Sequence, residues 1–394
     1  MRLHPRILLI TFIESFATIL IERGVFFYAK DVFGFGEAAN LALALLFGGA
    51  YVAGALASSS LARRFGEKRL ALAAIASMLV IQALLVPLAS PATLLVANAL
   101  MGLLNGLRWP IVESYVGAGH TPLSASAVVG RFNLAWASAV PLSIAAAGPI
   151  LDYWDPGLFA LGAAINAVSL ILLTPLPARP VHLPHDHPER PDAGALADYQ
   201  ALLTASRWLM LMAYSLLWIL AAVLPVVLPR DHGLDVAFSP AVTALLDVFR
   251  VTAFLLLGLW TGWHRKRWPL LLSLAVLPAG FLVARYAPSL PVLLVAEAAF
   301  GLAMGQVYYA ALYYAMVVRN AAVDAGGAHE GLIGAGFFLG PVIGLAGEGL
   351  AHLRGGSGQV DLLSTVLAIA PLVLIASVAA AGKLLPARPE PAGR

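Results

Sequence analysis

Apolar residues in this chain fall in long runs rather than in the three-and-four spacing of a surface helix. About 20 consecutive apolar residues cross a bilayer core, and polar breaks separate runs of that length along the whole chain. Twelve segments meet the criterion, at residues 6–29, 38–62, 69–88, 92–118, 124–150, 156–175, 204–228, 237–262, 268–286, 290–318, 328–352 and 361–384. The breaks at Ser90-Pro91 and from Tyr286 to Pro288 are short, and proline with small or polar residues divides the helices there. The first run starts near Leu8 and passes Phe26 without a small-residue cleavage site, so it reads as a retained helix and not a signal peptide.

The longest hydrophilic stretch runs from Pro177 to Asp198, at mid-chain, and its prolines forbid a continuous helix. It reads as a linker between two six-helix halves. The expected organisation is an N-terminal bundle over 1–176, a cytoplasmic linker over 177–203, a C-terminal bundle over 204–385 and a cytoplasmic tail over 386–394. His182, His185 and His187 in the linker suggest a metal site, but a polar, flexible linker with no metal is the favoured reading. A faint repeat supports two halves. Gly102 and Gly106 in the fourth helix match Gly301 and Gly305 in the tenth, and Pro141 in the fifth matches Pro341 in the eleventh. Repeats of this kind are expected of transporters built from two related bundles.

Composition agrees with the runs. The 394 residues are 60% hydrophobic and 11% charged, with a mean hydropathy of +0.86. Soluble domains are about half apolar and a quarter charged. The absence of cysteine excludes disulfides, thiol catalysis and cysteine-based metal sites. The net charge of +3 reads as basic cytoplasmic loops and not as nucleic-acid binding. With the N-terminus inside, the cytoplasmic side receives Arg63, Arg64, Lys68, Arg69, Arg265, Lys266, Arg267 and Lys383 among others, and the far side only Lys30, Arg230, Arg285 and Arg354. A multi-pass protein of the plasma (inner) membrane with both termini cytoplasmic is expected, as a monomer in the lipid bilayer.

The chain resembles the major facilitator superfamily over nearly its whole length. The residue-level match is best after the second helix, where Ser59-Ser60-Leu61-Ala62-Arg63-Arg64-Phe65-Gly66-Glu67-Lys68-Arg69 parallels the pattern G-x-L-A-D-R-x-G-R-K-R. Gly66 and the basic cluster with Arg69 match; Ser59 replaces the usual glycine and Arg63 the usual aspartate. In the family that aspartate helps hold the halves together near the start of helix eleven. Two readings of Arg63 stand: a latch with Glu330, or one more positive-inside charge. Gly336-Phe337-Phe338-Leu339-Gly340-Pro341 resembles the glycine–proline motif that superfamily exporters carry in helix five, and implies a moving interface at Gly340 and Pro341.

The resemblance implies that helices one, four, seven and ten line a central path. A charge at bilayer depth costs roughly 2.5–3.5 kcal/mol on the milder scale, so it faces a cavity or a partner. Counting depth at about 1.5 Å per residue puts Glu14 level with Arg108 and Glu113 level with Arg131. A Glu113–Arg131 pair is expected, as sugar permeases of the superfamily place a comparable one, and Asp247 and Arg250 can pair locally. Each pair is a functional candidate or a structural neutralisation. Glu14 and Glu22 are the proton-coupling candidates. Arg23 and Arg108 suit a substrate carboxylate or phosphate. Trp109, Trp136, Trp218, Tyr308 and Tyr309 offer stacking surfaces or packing, and Asn133 a hydrogen bond.

No nucleophile, phosphate-loop or H-E-x-x-H motif is evident, so an enzyme is not expected, and no cofactor. The expected function is alternating-access transport of a small organic solute, coupled to protons. The alternatives are a multidrug exporter with a wide apolar cavity, or a receptor or scaffold on the same fold that binds without flux.

Overall fold

The computed structural model describes residues 5–117, 125–178, 193–319, 323–355 and 360–385. Among them the chain forms twelve helices and no strand: α1 Pro5–Phe33, α2 Glu37–Phe65, α3 Glu67–Leu88, α4 Pro91–Gly117, α5 Ala125–Tyr153, α6 Gly157–Leu173, α7 Ala193–His232, α8 Ser239–Leu259, α9 Trp268–Arg285, α10 Leu290–Arg319, α11 Val323–Leu353 and α12 Leu362–Leu384. Ten of them are long and apolar enough to cross a membrane. The other two are α6, at 17 residues, and α1, which carries Glu14, Glu22 and Arg23. Large apolar side chains such as Leu56, Val96, Ile171, Val295 and Val378 stand on the outside of the bundle. Lipid tails satisfy such a surface; water does not.

The twelve helices and most of their limits match the apolar runs. The exception is α7, which starts at Ala193 inside the stretch read as linker. At 40 residues α7 is longer than a bilayer crossing needs, and its first turns carry Asp198, Tyr199 and Gln200. These turns are pinned by Asp198, which meets Arg265 at 3.2 Å and Arg267 at 3.4 Å, and by Tyr199 against Tyr314. His182, His185 and His187, with the rest of 179–192, lie outside the described residues, as does the tail from 386.

The helices form two six-helix bundles with matching internal partners. In the first, α1 packs on α5 and α6, and α2 on α4; in the second, α7 packs on α11 and α12, and α8 on α10. The glycine repeat lies in these contacts. A methyl group at Gly102 or Gly106 would collide with the carbonyl oxygens of Phe47 or Tyr51 on α2, and one at Gly301 or Gly305 with Leu246 or Arg250 on α8. Small residues let the paired backbones touch. The bundles join mainly through α2 with α11 and α5 with α8. The buried share of the apolar stretch is 89% in α7 against 22% in α12, which puts α7 at the centre and α12 at the periphery.

Two ends can be distinguished. One face carries Arg63, Arg64, Lys68, Arg69, Arg265, Lys266, Arg267 and Lys383, and is here called the basic face. On it Gly66 turns the chain between α2 and α3 with φ +89°, a conformation that favours glycine. On the opposite face Glu37, at the start of α2, is buried between Arg230 of α7 at 2.8 Å and Arg285 of α9 at 2.5 Å. That cluster ties the first half to the second.

Candidate functional site

A cavity of about 80 Å³ lies between the halves, with room for a handful of waters. Every helix but α3, α6, α9 and α12 contributes to its lining. Five charged side chains reach it: Glu22 and Arg23 of α1, Glu113 of α4, Arg250 of α8 and Glu330 of α11.

The carboxyls of Glu113 and Glu330 meet at hydrogen-bonding distance, one from each half. The Tyr51 hydroxyl of α2 donates to Glu330 Oε2. Two glycines produce this geometry. Gly106 lets α4 approach the backbone of Tyr51, and Gly334, one turn beyond Glu330, leaves room for the Tyr51 ring, which a methyl group there would meet at 2.7 Å. Ionised carboxylates only accept hydrogen bonds. The Glu113–Glu330 contact therefore holds only while one of the two carries a proton.

On the α1–α8 wall Asp247 takes both cavity arginines. Its Oδ1 lies 2.6 Å from Arg250 Nη2, and its Oδ2 lies 3.8 Å from Arg23 Nη1. The Arg250 guanidinium also sits 5.0 Å over the Trp136 ring. Aromatic side chains fill the space between the walls. Trp218 stacks on Phe337 at 3.8 Å, Trp136 meets Tyr308 at 5.1 Å, and Tyr214 touches both Tyr308 and Phe337.

Of the residues singled out from sequence, Glu22, Arg23, Trp109, Trp136, Trp218, Tyr308, Glu113, Arg250 and Glu330 come together here. Others do not. Arg108 is wholly buried away from the cavity lining, where it donates to Glu14, to Thr18 Oγ1 at 2.5 Å and to Asn105 Oδ1 at 2.8 Å. Glu14 is thereby taken up in a buried salt bridge. Asn133 is a buried support whose Oδ1 accepts from the Trp136 indole at 3.0 Å. Tyr309 packs between Gly130 and Gly258, near Trp263.

The expected Glu113–Arg131 pair is not formed: Glu113 turns to Glu330, and Arg131 is exposed. Equal depth on consecutive helices says nothing about the direction a side chain faces. The Arg63–Glu330 latch is not formed either. Glu330 sits on Tyr51, twelve residues and roughly 18 Å along α2 from Arg63, and exposed Arg63 donates to Ser59 Oγ at 2.5 Å. Arg69 is exposed on the basic face. Gly340 lies against the Ser215 backbone of α7, beside buried Pro341. Sequence reasoning missed Tyr51, Tyr214 and the Glu37 cluster. The first two are single tyrosines within apolar runs. Glu37 looks like an ordinary acid in a first helical turn.

Twelve helices in two related halves, closing on a charged and aromatic cavity, define a membrane transporter of the two-bundle kind. The family model of the Major Facilitator Superfamily matches residues 7–328, and the chain belongs to that superfamily. A mutant form of the nucleoside transporter NupG superposes with a TM-score of 0.70 at 14% identity, covering 97% of this chain and all 100% of that one. A bacterial homologue of the human lysosomal transporter Spinster, inward-facing and unoccupied, gives 0.65 at 15% identity over 96% of this chain and 95% of that one. At such identities the likeness is one of fold. No curated protein matches the chain.

Proposed function

We propose that the protein is a proton-coupled secondary transporter that moves a small organic solute by alternating access. The two bundles, 1–176 and 204–385, are the moving bodies. The observation that carries this reading is the Glu113–Glu330 contact across the halves, with Tyr51 donating to it. With a proton the contact joins α4 to α11. Without it two like charges face each other at short range, which disfavours the closed arrangement. Glu330 lies seven residues into α11 from its start on the basic face, and Glu113 four residues from the end of α4 on that face. Loss of the proton therefore favours opening toward the basic face, and solute and proton shift the same two populations.

Glu22 is the second proton site in this reading, since it lines the same cavity. Glu14, held by Arg108, is a structural neutralisation. The basic face lies in the cytoplasm, by the distribution of lysine and arginine, which puts both termini inside at the plasma membrane. A multidrug exporter would have a wide apolar cavity, and about 80 Å³ lined by five charged side chains does not favour it.

The test is flux in proteoliposomes holding the purified full chain, with a solute panel and an imposed pH gradient. Solute movement should follow the gradient in the wild type. In Glu330→Gln whatever solute movement remains should no longer respond to the gradient. Binding without flux across the panel would support the receptor alternative. An unchanged gradient response in both Glu113→Gln and Glu330→Gln would remove the coupling site.

A further inference from the structure

The charge balance of the cavity points to the kind of solute. Its lining carries Glu22, Glu113 and Glu330 against Arg23 and Arg250, and Asp247 binds both arginines from behind. With Glu22 holding its own proton, as in the reading above, the three other carboxyls against two guanidiniums leave one negative charge when all three are ionised, and none when a proton is held between Glu113 and Glu330. The two signs are also separated. Both guanidiniums are drawn to Asp247 on the α1–α8 wall, while Glu113 and Glu330 face the cavity from the α4–α11 wall with no arginine or lysine among the other lining residues.

Between the walls lies an aromatic box. The face of an aromatic ring is its negative side and attracts a cation. Arg250 already rests over Trp136 in this way. Trp218, stacked on Phe337, has a buried indole N–H without a hydrogen-bond partner among the described residues, a donor left for a neutral acceptor on the solute. An anion entering this box would meet aromatic faces and the carboxyls of Glu113 and Glu330, with both arginines already drawn to Asp247. A neutral solute would leave the second carboxylate uncompensated.

We propose that the solute is an organic monocation with an aromatic or apolar body, whose cationic group docks at Glu113 and Glu330 in exchange for the proton held between them. This rests on the proton-coupled reading above and narrows it: proton and solute compete for one place, so they cross in opposite directions. The other titratable and charged groups facing that place are Tyr51 from α2, Glu22 and Arg23 from α1, Tyr214 from α7, Arg250 from α8 and Tyr308 from α10, with His329 next to Glu330 and its ring against Tyr308.

The experiment uses the purified full chain in detergent and the fluorescence of Trp109, Trp136 and Trp218, which line the cavity. Three probes of similar size are titrated: benzyltrimethylammonium, its uncharged isostere neopentylbenzene, and phenylacetate. The cation should quench saturably and bind at least about tenfold more tightly than either of the others. Exchange for one proton should tighten its binding by up to about tenfold per pH unit between pH 6 and pH 8. Glu113→Gln and Glu330→Gln should each weaken the cation and flatten that dependence, and the wild-type comparison of the three probes stands without them. Phenylacetate or the isostere binding as tightly as the cation would overturn the proposal and leave proton-coupled transport intact. Cation binding indifferent to pH would overturn the exchange, and gradient-driven flux then decides separately whether coupling survives.

Discussion

Tyr51, Glu113 and Glu330 come from three helices and both halves, so each has a separate, measurable part. Tyr51→Phe removes only the donor to Glu330. A buried hydrogen bond to a charged group is worth about 1.5–3 kcal/mol, so gradient-driven proton uptake, read with a pH dye inside proteoliposomes, should slow by about ten- to a hundredfold without being abolished. Arg108 has a different role, because it neutralises Glu14 where both side chains are wholly buried. Arg108→Ala leaves that charge unpaired and should cost about 3–5 kcal/mol, seen as a lower melting temperature in detergent. Adding Glu14→Gln should recover part of the loss. At this scale the sequence was half legible. Depth counting put Glu14 level with Arg108, since both lie on helices that face one another. It misassigned Glu113, whose partner stands in the other half, where no local periodicity reaches.

Among elements, glycine spacing matters more than hydrophobicity. Gly106→Ala would drive a methyl group into the carbonyl of Tyr51 and separate α2 from α4. Overpacking of this kind costs typically 1–3 kcal/mol, and the variant should show lower yield and melting temperature, with proton uptake impaired because Tyr51 is displaced. Helix α12 is set by its first turn. Asp361 accepts from the backbone N–H groups of Leu363 at 3.0 Å and Ser364 at 3.1 Å, and these bonds, with the Ser364 hydroxyl first, hold its carboxyl below the usual carboxylate value. Because the folded value is the lower one, its support of α12 is complete above the ordinary value near 4 and is lost as the pH falls through the folded one. Amide protection at Leu363 and Ser364 should drop over that acid range and be absent at all pH in Asp361→Ala. Element boundaries were well read from sequence because bilayer thickness imposes them. The start of α7 was not, because its first turns lie outside that constraint and are held by Asp198, Arg265 and Arg267.

For the whole molecule, the Glu37–Arg230–Arg285 cluster closes the face opposite the basic one. Glu37→Gln weakens both ion pairs and should shift the population toward opening there. The natural chain has no cysteine, so a single Ile343→Cys, in the small cavity beneath Glu37, reports that opening cleanly. Its reaction with a membrane-impermeant maleimide from that face should speed up severalfold in the Glu37→Gln background, and an unchanged rate would deny the cluster a gating role. The pairing of halves was legible from the central polar stretch and the repeated glycines. The closure at Glu37 was not, since its partners lie far along the chain and each residue alone looks like a loop charge.

The glycine seams inside the halves also supply a ruler. Because Gly102 and Gly106 bring α4 onto the backbone of α2, and Gly301 and Gly305 bring α10 onto α8, spin labels placed across either seam should report one constant separation through the whole transport cycle. Labels placed across α2 and α11 should report two. The ratio of those two populations, read against the fixed seam distance in the same molecule, measures the conformational equilibrium directly, and its response to pH tests the proposed proton coupling: a ratio that does not move with pH would deny it.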